Sequence, residues 1–322
     1  MRRRDFIRAG GAALAWSPAA RAQEPGRTYR LGIITGAARS APRMAAFFDE
    51  LKTLGFVEGQ NLKIVAGGFD LRDTQFAQVA ANLAKESPDA VFCVSDAAAR
   101  AMQDSGRTVP IVALSTDLVV AGLARSLARP GGNVTGVSIL ASELNGKRQE
   151  ILMQAVPDAR RMAVLADPKA INEAQLQALS NASSARGVEL AVVLAGTPEE
   201  IAAAIIEAKD SGATALNVLT SPLFSFNRRI VIDRVATVGL PAIYEWPEMA
   251  EEGGLIAYGP RLILIYRQLG RLLVKVLRGV RPEDLPIEQP TNFDLVVNLR
   301  TAKALGLAIP ETLLARADRV IE

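Results

Sequence analysis

The sequence predicts an α/β protein made of two units, each built on a parallel sheet, with a cleft between them. Three observations carry this. Short apolar runs alternate with amphipathic stretches up to about residue 138, and the alternation restarts after residue 140. The segment from Gly253 onward breaks that rhythm, which makes the chain cross between the units more than once. A chain of 322 residues is long enough to bury two cores.

In the first unit, Arg30–Ile34 reads as a strand, followed by a helix with Ala45, Phe48, Leu51 and Leu54 at helical spacing and Gly55 as its stop. Residues 61–66 read as a second strand, and residues 73–86 as a helix whose stripe is Phe76, Val79, Ala80 and Leu83. Strands are expected at 90–94, 110–114 and 134–138, with helices at 97–105 and 118–128; Pro130-Gly131-Gly132 closes the last helix. In the second unit, helices are expected at 143–155, 173–186 and 227–238, and strands at 161–166, 188–194, 213–219 and 242–245. Thr197-Pro198-Glu199-Glu200 reads as a helix start, with a Thr N-cap, Pro at N1 and Glu200 at the capping-box position. Beyond Gly253 come a short strand at 255–258, a long amphipathic helix at 260–278 and a crossing loop at 281–286. A strand at 293–298, a short helix at 301–305 and a last helix at 312–319 complete the chain. Such βα alternation argues for parallel sheets covered by helices on both faces.

The first 22 residues read as an export signal. Arg3-Arg4 is followed by Asp5-Phe6-Ile7-Arg8, a short apolar stretch to Trp16, and the small-x-small site Ala20-Arg21-Ala22. The arginine pair points to the Tat route, with a Sec signal as the alternative. Five of the 37 basic and one of the 34 acidic residues lie in this segment. Cleavage after Ala22 would leave 32 basic against 33 acidic residues, so the basic balance belongs to the signal and gives no footing for nucleic-acid binding.

Histidine is absent, which excludes Ser-His-Asp and Cys-His catalysis and histidine zinc sites. Cys93 is the only cysteine and lies in an apolar run, the setting of a buried, inert thiol. No apolar run reaches the ~18 residues needed to span a bilayer. Gly131-Gly132-Asn133-Val134-Thr135-Gly136 precedes a strand, whereas a dinucleotide fingerprint follows one, so no nucleotide cofactor and no metal is expected.

In open α/β sheets, ligands sit at the carboxyl ends of the strands. The residues just after the expected strands are therefore the candidates: Gly36, Ser95, Asp96, Ser115, Thr116, Asp117, Asp167, Thr220, Ser221, Tyr244, Glu245 and Trp246. Hydroxyls and N–H groups at helix starts can hold a carboxylate, Asp117 or Glu245 can pair with an ammonium, and Tyr244 or Trp246 can stack on a ring. The same Ser and Asp residues can equally serve as N-caps.

Several segments resemble one family: the ABC-transporter substrate-binding proteins related to the tryptophan-binding TrpX group. They are the run from Asp117-Leu118-Val119 through Arg129-Pro130-Gly131-Gly132-Asn133-Val134-Thr135-Gly136-Val137-Ser138, then Gly253-Gly254-Leu255-Ile256-Ala257-Tyr258-Gly259-Pro260, Leu285–Asn298 and Thr301–Pro310. The resemblance implies two Rossmann-like lobes of the type I periplasmic-binding-protein fold that close over a small molecule and pass it to an inner-membrane ABC permease. It also implies a periplasmic, monomeric, non-catalytic protein. An aromatic or other hydrophobic amino acid is the leading ligand class; aromatic acids and branched-chain amino acids compete. The alternatives are a ligand sensor for a membrane receptor, an exported carboxylate-dependent hydrolase, and a LacI-like regulator, which would need a helix-turn-helix where the signal stands. On this reading lobe 1 is 28–138 with 255–281, and lobe 2 is 139–254 with 285–322. Hinges are expected near Val137 and Ser138, near Gly254 and Leu255, and at 281–285. One departure stands out: family members often carry Asp-Pro-Val where this chain has Asp117-Leu118-Val119, and Leu118 restores a backbone N–H.

Overall fold

The computed structural model describes residues 26–65 and 68–322. The expected signal segment, 1–22, lies outside the described residues, as does Ala66 at the end of the expected second strand.

The first sheet contains β1 (Tyr29–Thr35), β2 (Leu62–Val65), β3 (Ala90–Val94), β4 (Ile111–Ser115) and β5 (Val134–Ser138), in the order β2-β1-β3-β4-β5. All its pairings are parallel. Every residue of β3 and β4 is buried, as a strand covered on both faces requires. The cover comes from α1 (Pro42–Thr53), α2 (Asp73–Glu86), α3 (Asp96–Asp104) and α10 (Leu262–Leu277). Phe47 of α1 stacks on Phe92 of β3 at 4.3 Å, and Tyr266 of α10 meets Phe92 edge-on at 5.9 Å.

The second sheet contains β6 (Arg161–Ala166), β7 (Glu189–Leu194), β8 (Leu216–Val218), β9 (Ala242–Tyr244), β10 (Ile256–Gly259), β11 (Asp294–Asn298) and β12 (Arg319–Ile321). Its order is β12-β11-β10-β9-β8-β6-β7, parallel except for β10 against β11. Around it lie α4 (Ala141–Ala155), α5 (Glu173–Ser184), α6 (Ile201–Asp210), α7 (Pro222–Phe226), α8 (Arg228–Val238), α9 (Pro247–Glu251), α11 (Leu299–Ala304) and α12 (Glu311–Leu314). None of the helices among the described residues is long and apolar enough to cross a membrane.

The chain passes between the sheets three times. The first crossing runs from β5 through Ile139 and Leu140 into α4, with Leu140 in the left-handed region at φ 55°. The second runs from β10 into α10, and Arg261 at this point is held by Asp294 (2.6 Å) and Glu251 (2.9 Å). The third follows residues 285–288, which lie along β5 through Ser138 N–H to Glu288 O (3.0 Å) and Glu288 N–H to Gly136 O (2.9 Å), and then enters β11. Gly136 is obligatory here: its φ is +154°, and a Cβ would fall 1.9 Å from Ala113 O.

The structure corrects several expectations. Residues 118–128 are turns, not a helix: Asp117 Oδ1 accepts from Val119 and Val120 N–H, and Gly122 turns left-handed at φ 66°. The buried stripe of α1 is Met44, Phe47 and Leu51, one residue out of phase with the expected Ala45 and Phe48. Glu200 does not complete a box on Thr197; it reaches back to Gly196 N–H (2.7 Å), and α6 starts at Ile201. The last helix stops at Leu314 and β12 follows, while α7 and α9 are short helices where loops were expected. Residues 256–259, expected in lobe 1, form β10 of the second sheet, and only α10 of that segment packs on the first. Gly254 and Leu255 consequently lie inside the second lobe, Gly254 against the Tyr244 ring, and the chain crosses some five residues later.

Leu118 explains its own departure from the Asp-Pro-Val pattern. Its N–H donates to Ser138 Oγ (3.1 Å) at the end of β5, a bond that proline would remove. Cys93 is fully buried, and burial pushes its thiol pKa well up.

Candidate functional site

The carboxyl ends of β3, β4, β8 and β9 face one narrow, partly open cavity between the sheets. Its wall is mostly apolar, with Leu114, Ile139, Leu262, Phe226, Trp246 and Tyr266 contributing. Among the sequence candidates, Ser95, Ser115, Thr116, Thr220, Ser221, Glu245 and Trp246 line it.

Ser95 serves two purposes, since its Oγ caps α3 by accepting from Ala98 N–H (3.1 Å). Ser221 likewise caps α7 through Leu223 N–H (3.0 Å) while donating to Asp167 Oδ2 (2.6 Å). Asp167 thus stands behind the wall and fixes Ser221; its Oδ1 accepts from Lys169 N–H (2.9 Å).

The other candidates are placed elsewhere. Asp96 and Asp117 line a separate, open groove beside the cavity. Asp96 accepts from Thr116 Oγ1 (2.8 Å), and burial raises its pKa against the pull of neighbouring hydroxyls. Gly36 lines a third space, which shares Lys169 with that groove. Tyr244 points away into the core: alternation along β9 puts it on the face opposite Glu245, and burial raises its pKa.

Glu245 is the centre of the site. It is 3% exposed, and its Oε1 has no hydrogen-bond partner. Burial pushes its pKa up to about 8; the charge of Arg148, then nearby donors on Trp246, Thr220 and Ser221, act the other way. The indole N–H of Trp246 and the Oγ of Ser115 are also buried without a well-formed hydrogen bond, each beside a carboxyl group, Glu245 and Asp96 respectively. Glu245 Oε1, buried on a mostly apolar wall, is an exception to the rule that buried polar groups are paired.

Arg148 was not among the sequence candidates. It is 1% exposed and comes from α4. Its Nη1 donates to Tyr258 O (3.1 Å), and its Nη2 to Asn145 Oδ1 (2.6 Å) and to Thr220 Oγ1. Burial lowers its pKa to about 10, opposed by the charge of Glu245. Asn145 Oδ1 also accepts from Thr220 N–H (3.0 Å), so α4 fixes the loop after β8. Gly259 lets β10 approach from the other side, since a Cβ there would fall 2.0 Å from Glu245 O. The signal for Arg148 was present: it is a charged residue between Leu144 and Leu152 on the buried face of an amphipathic helix.

The model of the family described as ABC transporter substrate binding protein matches residues 32–321. The chain belongs to that family. A tyrosine-binding protein of Clostridioides difficile (strain R20291) is 26% identical over 268 residues, covering 81% of this chain and 75% of that protein. The solved ABC domain of Streptococcus pneumonia in complex with L-Trp is 23% identical, covers 91% of this chain and all of that one, and superposes with a TM-score of 0.79. A substrate binding protein with adhesive properties from Clostridium difficile, solved ligand-free and open, is 25% identical over 91% of this chain and 99% of its own, with a TM-score of 0.61. The fold is that of a type I periplasmic binding protein: a two-lobed α/β structure with one parallel and one mixed sheet. Family members are extracytoplasmic binding proteins rather than enzymes.

Proposed function

We propose that this protein captures a zwitterionic amino acid with an apolar, preferably aromatic side chain in the interlobe cavity and delivers it to an ABC permease. The observation that carries this is the unpartnered Glu245 carboxylate oxygen on an otherwise apolar wall, a place for an ammonium group beside space for a side chain. The hydroxyls of Ser95 and Ser115 provide donors for the carboxylate. The ligands of two relatives, tyrosine and L-Trp, support the aromatic preference. Passage to a permease follows from the family, and location outside the cytoplasm is in keeping with the export signal read at residues 1–22. A monomer suits a protein that must dock through both lobes.

Thermal shift and titration calorimetry with L-tyrosine, L-tryptophan, L-phenylalanine and L-leucine test the reading. A ligand at 100 times its Kd adds about 2.7 kcal/mol to stability, enough to raise the Tm visibly. Glu245→Gln should abolish or strongly weaken the shift while the protein stays folded. Binding of an amino acid at full strength by the Gln variant would remove Glu245 from the site. No response to any of the four would remove the ligand class.

A further inference from the structure

We propose that Phe226 is the gate through which ligand enters and leaves the cavity, seated on a stop that the bare backbone of Gly36 provides. The inference rests on the reading of the cavity as the ligand site.

Phe226 is the last residue of α7, in the second lobe. It is partly exposed, and among the described residues it is the one side chain bordering both the cavity and the groove where Asp70, Arg72, Lys169 and Glu199 lie. The ring therefore stands between Trp246, on the cavity wall, and the groove. Its stop belongs to the first lobe. A Cβ at Gly36 would fall 2.5 Å from ring Cδ2 and 2.8 Å from Cε2, so any side chain there would push the ring off its seat. Arg43 of α1, 5% exposed, places its guanidinium 5.8 Å from the ring centroid, within reach of a cation–π attraction.

Both contacts span the cleft. Separation of the lobes removes the stop and the cation together and leaves the ring free to swing about its two side-chain torsions; closure seats it again. Gate position is thereby tied to lobe position. The groove beside Asp117 has a different boundary: Thr116 borders both it and the cavity, with its hydroxyl bonded to Asp96.

Trp16 and Trp246 are the only tryptophans. In the full-length chain carrying Trp16→Phe, the emission comes from Trp246 in the cavity wall, and acrylamide quenching reads access to the cavity with no ligand present. Phe226→Ala should raise the quenching constant several-fold, and Gly36→Ala should raise it by a smaller factor. L-tyrosine should then associate and dissociate faster in Phe226→Ala, with Kd moving less than either rate. Unchanged quenching in both variants, with circular dichroism and Tm equal to the parent, overturns the gate. A rise in Thr116→Ala alone puts the entrance at the groove beside Asp117 and overturns it as well. Failure of the parent to bind L-tyrosine would count against the amino-acid reading, and the quenching series would still decide the gate.

Discussion

Glu245 is a carboxyl group held where water does not reach it, and its behaviour with pH follows from that. Its pKa, pushed up to about 8 by burial, lies above that of an exposed glutamate, so the folded protein binds the proton more tightly than the unfolded chain. The sign is the reverse of a salt-bridged carboxylate. The contribution is full below about pH 4.5 and is lost as pH rises through about 8. The Tm difference between wild type and Glu245→Gln should therefore move against wild type as pH rises from 6 to 9; a flat difference would mean that the group titrates normally. Binding of an ammonium reverses the preference, because the cation needs the ionised form. Amino-acid affinity should rise with pH across this range. Calorimetry in buffers of different ionisation enthalpy at pH 7 should show proton release, absent in the Gln variant.

Among the elements, α4 is the one on which the site leans. Arg148→Met would leave Tyr258 O, Asn145 Oδ1 and Thr220 Oγ1 short of a donor. Leaving a buried polar group unpaired costs about 1–3 kcal/mol. Urea unfolding should show that loss. In β5, Gly136→Ala meets both a forbidden backbone region and a carbonyl 1.9 Å from the new atom. Its cost should exceed the ~1–3 kcal/mol of backbone strain alone. Much of the element order was legible because each central strand is a short apolar run bounded by turn residues, as in residues 90–94 and 110–114. What was not legible depended on contacts distant in sequence. Leu123 and Leu127 are four apart, as on one helix face, yet Asp117 ties the chain into a turn and Gly122 turns left-handed. Residues 319–321 carry too little pattern to announce a strand and become one only beside β11. In the site, position after a strand found Glu245 and Trp246, but the two-residue alternation that turns Tyr244 inward needed the register of β9 to be known. Arg148 approaches the cavity from a helix flank, where a rule about strand ends does not look.

For the whole molecule, two ion pairs join the lobes at the cleft mouth: Arg72 with Glu199 (3.2 Å) and Lys169 with Asp73 (3.7 Å). All four side chains are largely exposed, so together the pairs are worth no more than about 1 kcal/mol and are screened by salt. Scattering should show the unliganded protein expanding slightly between low and high salt, and Arg72→Ala with Lys169→Ala should abolish that dependence. The three crossings carry a longer-range consequence. The first sheet is finished at Ser138, yet the helix that covers Phe47, Phe92 and the inner ends of β3 and β4 is α10, made of residues 262–277. During synthesis the first lobe therefore waits with one side of its core uncovered while the second lobe is being made, and it can close only after residue 277 has emerged. The first lobe, though begun first, cannot be completed alone.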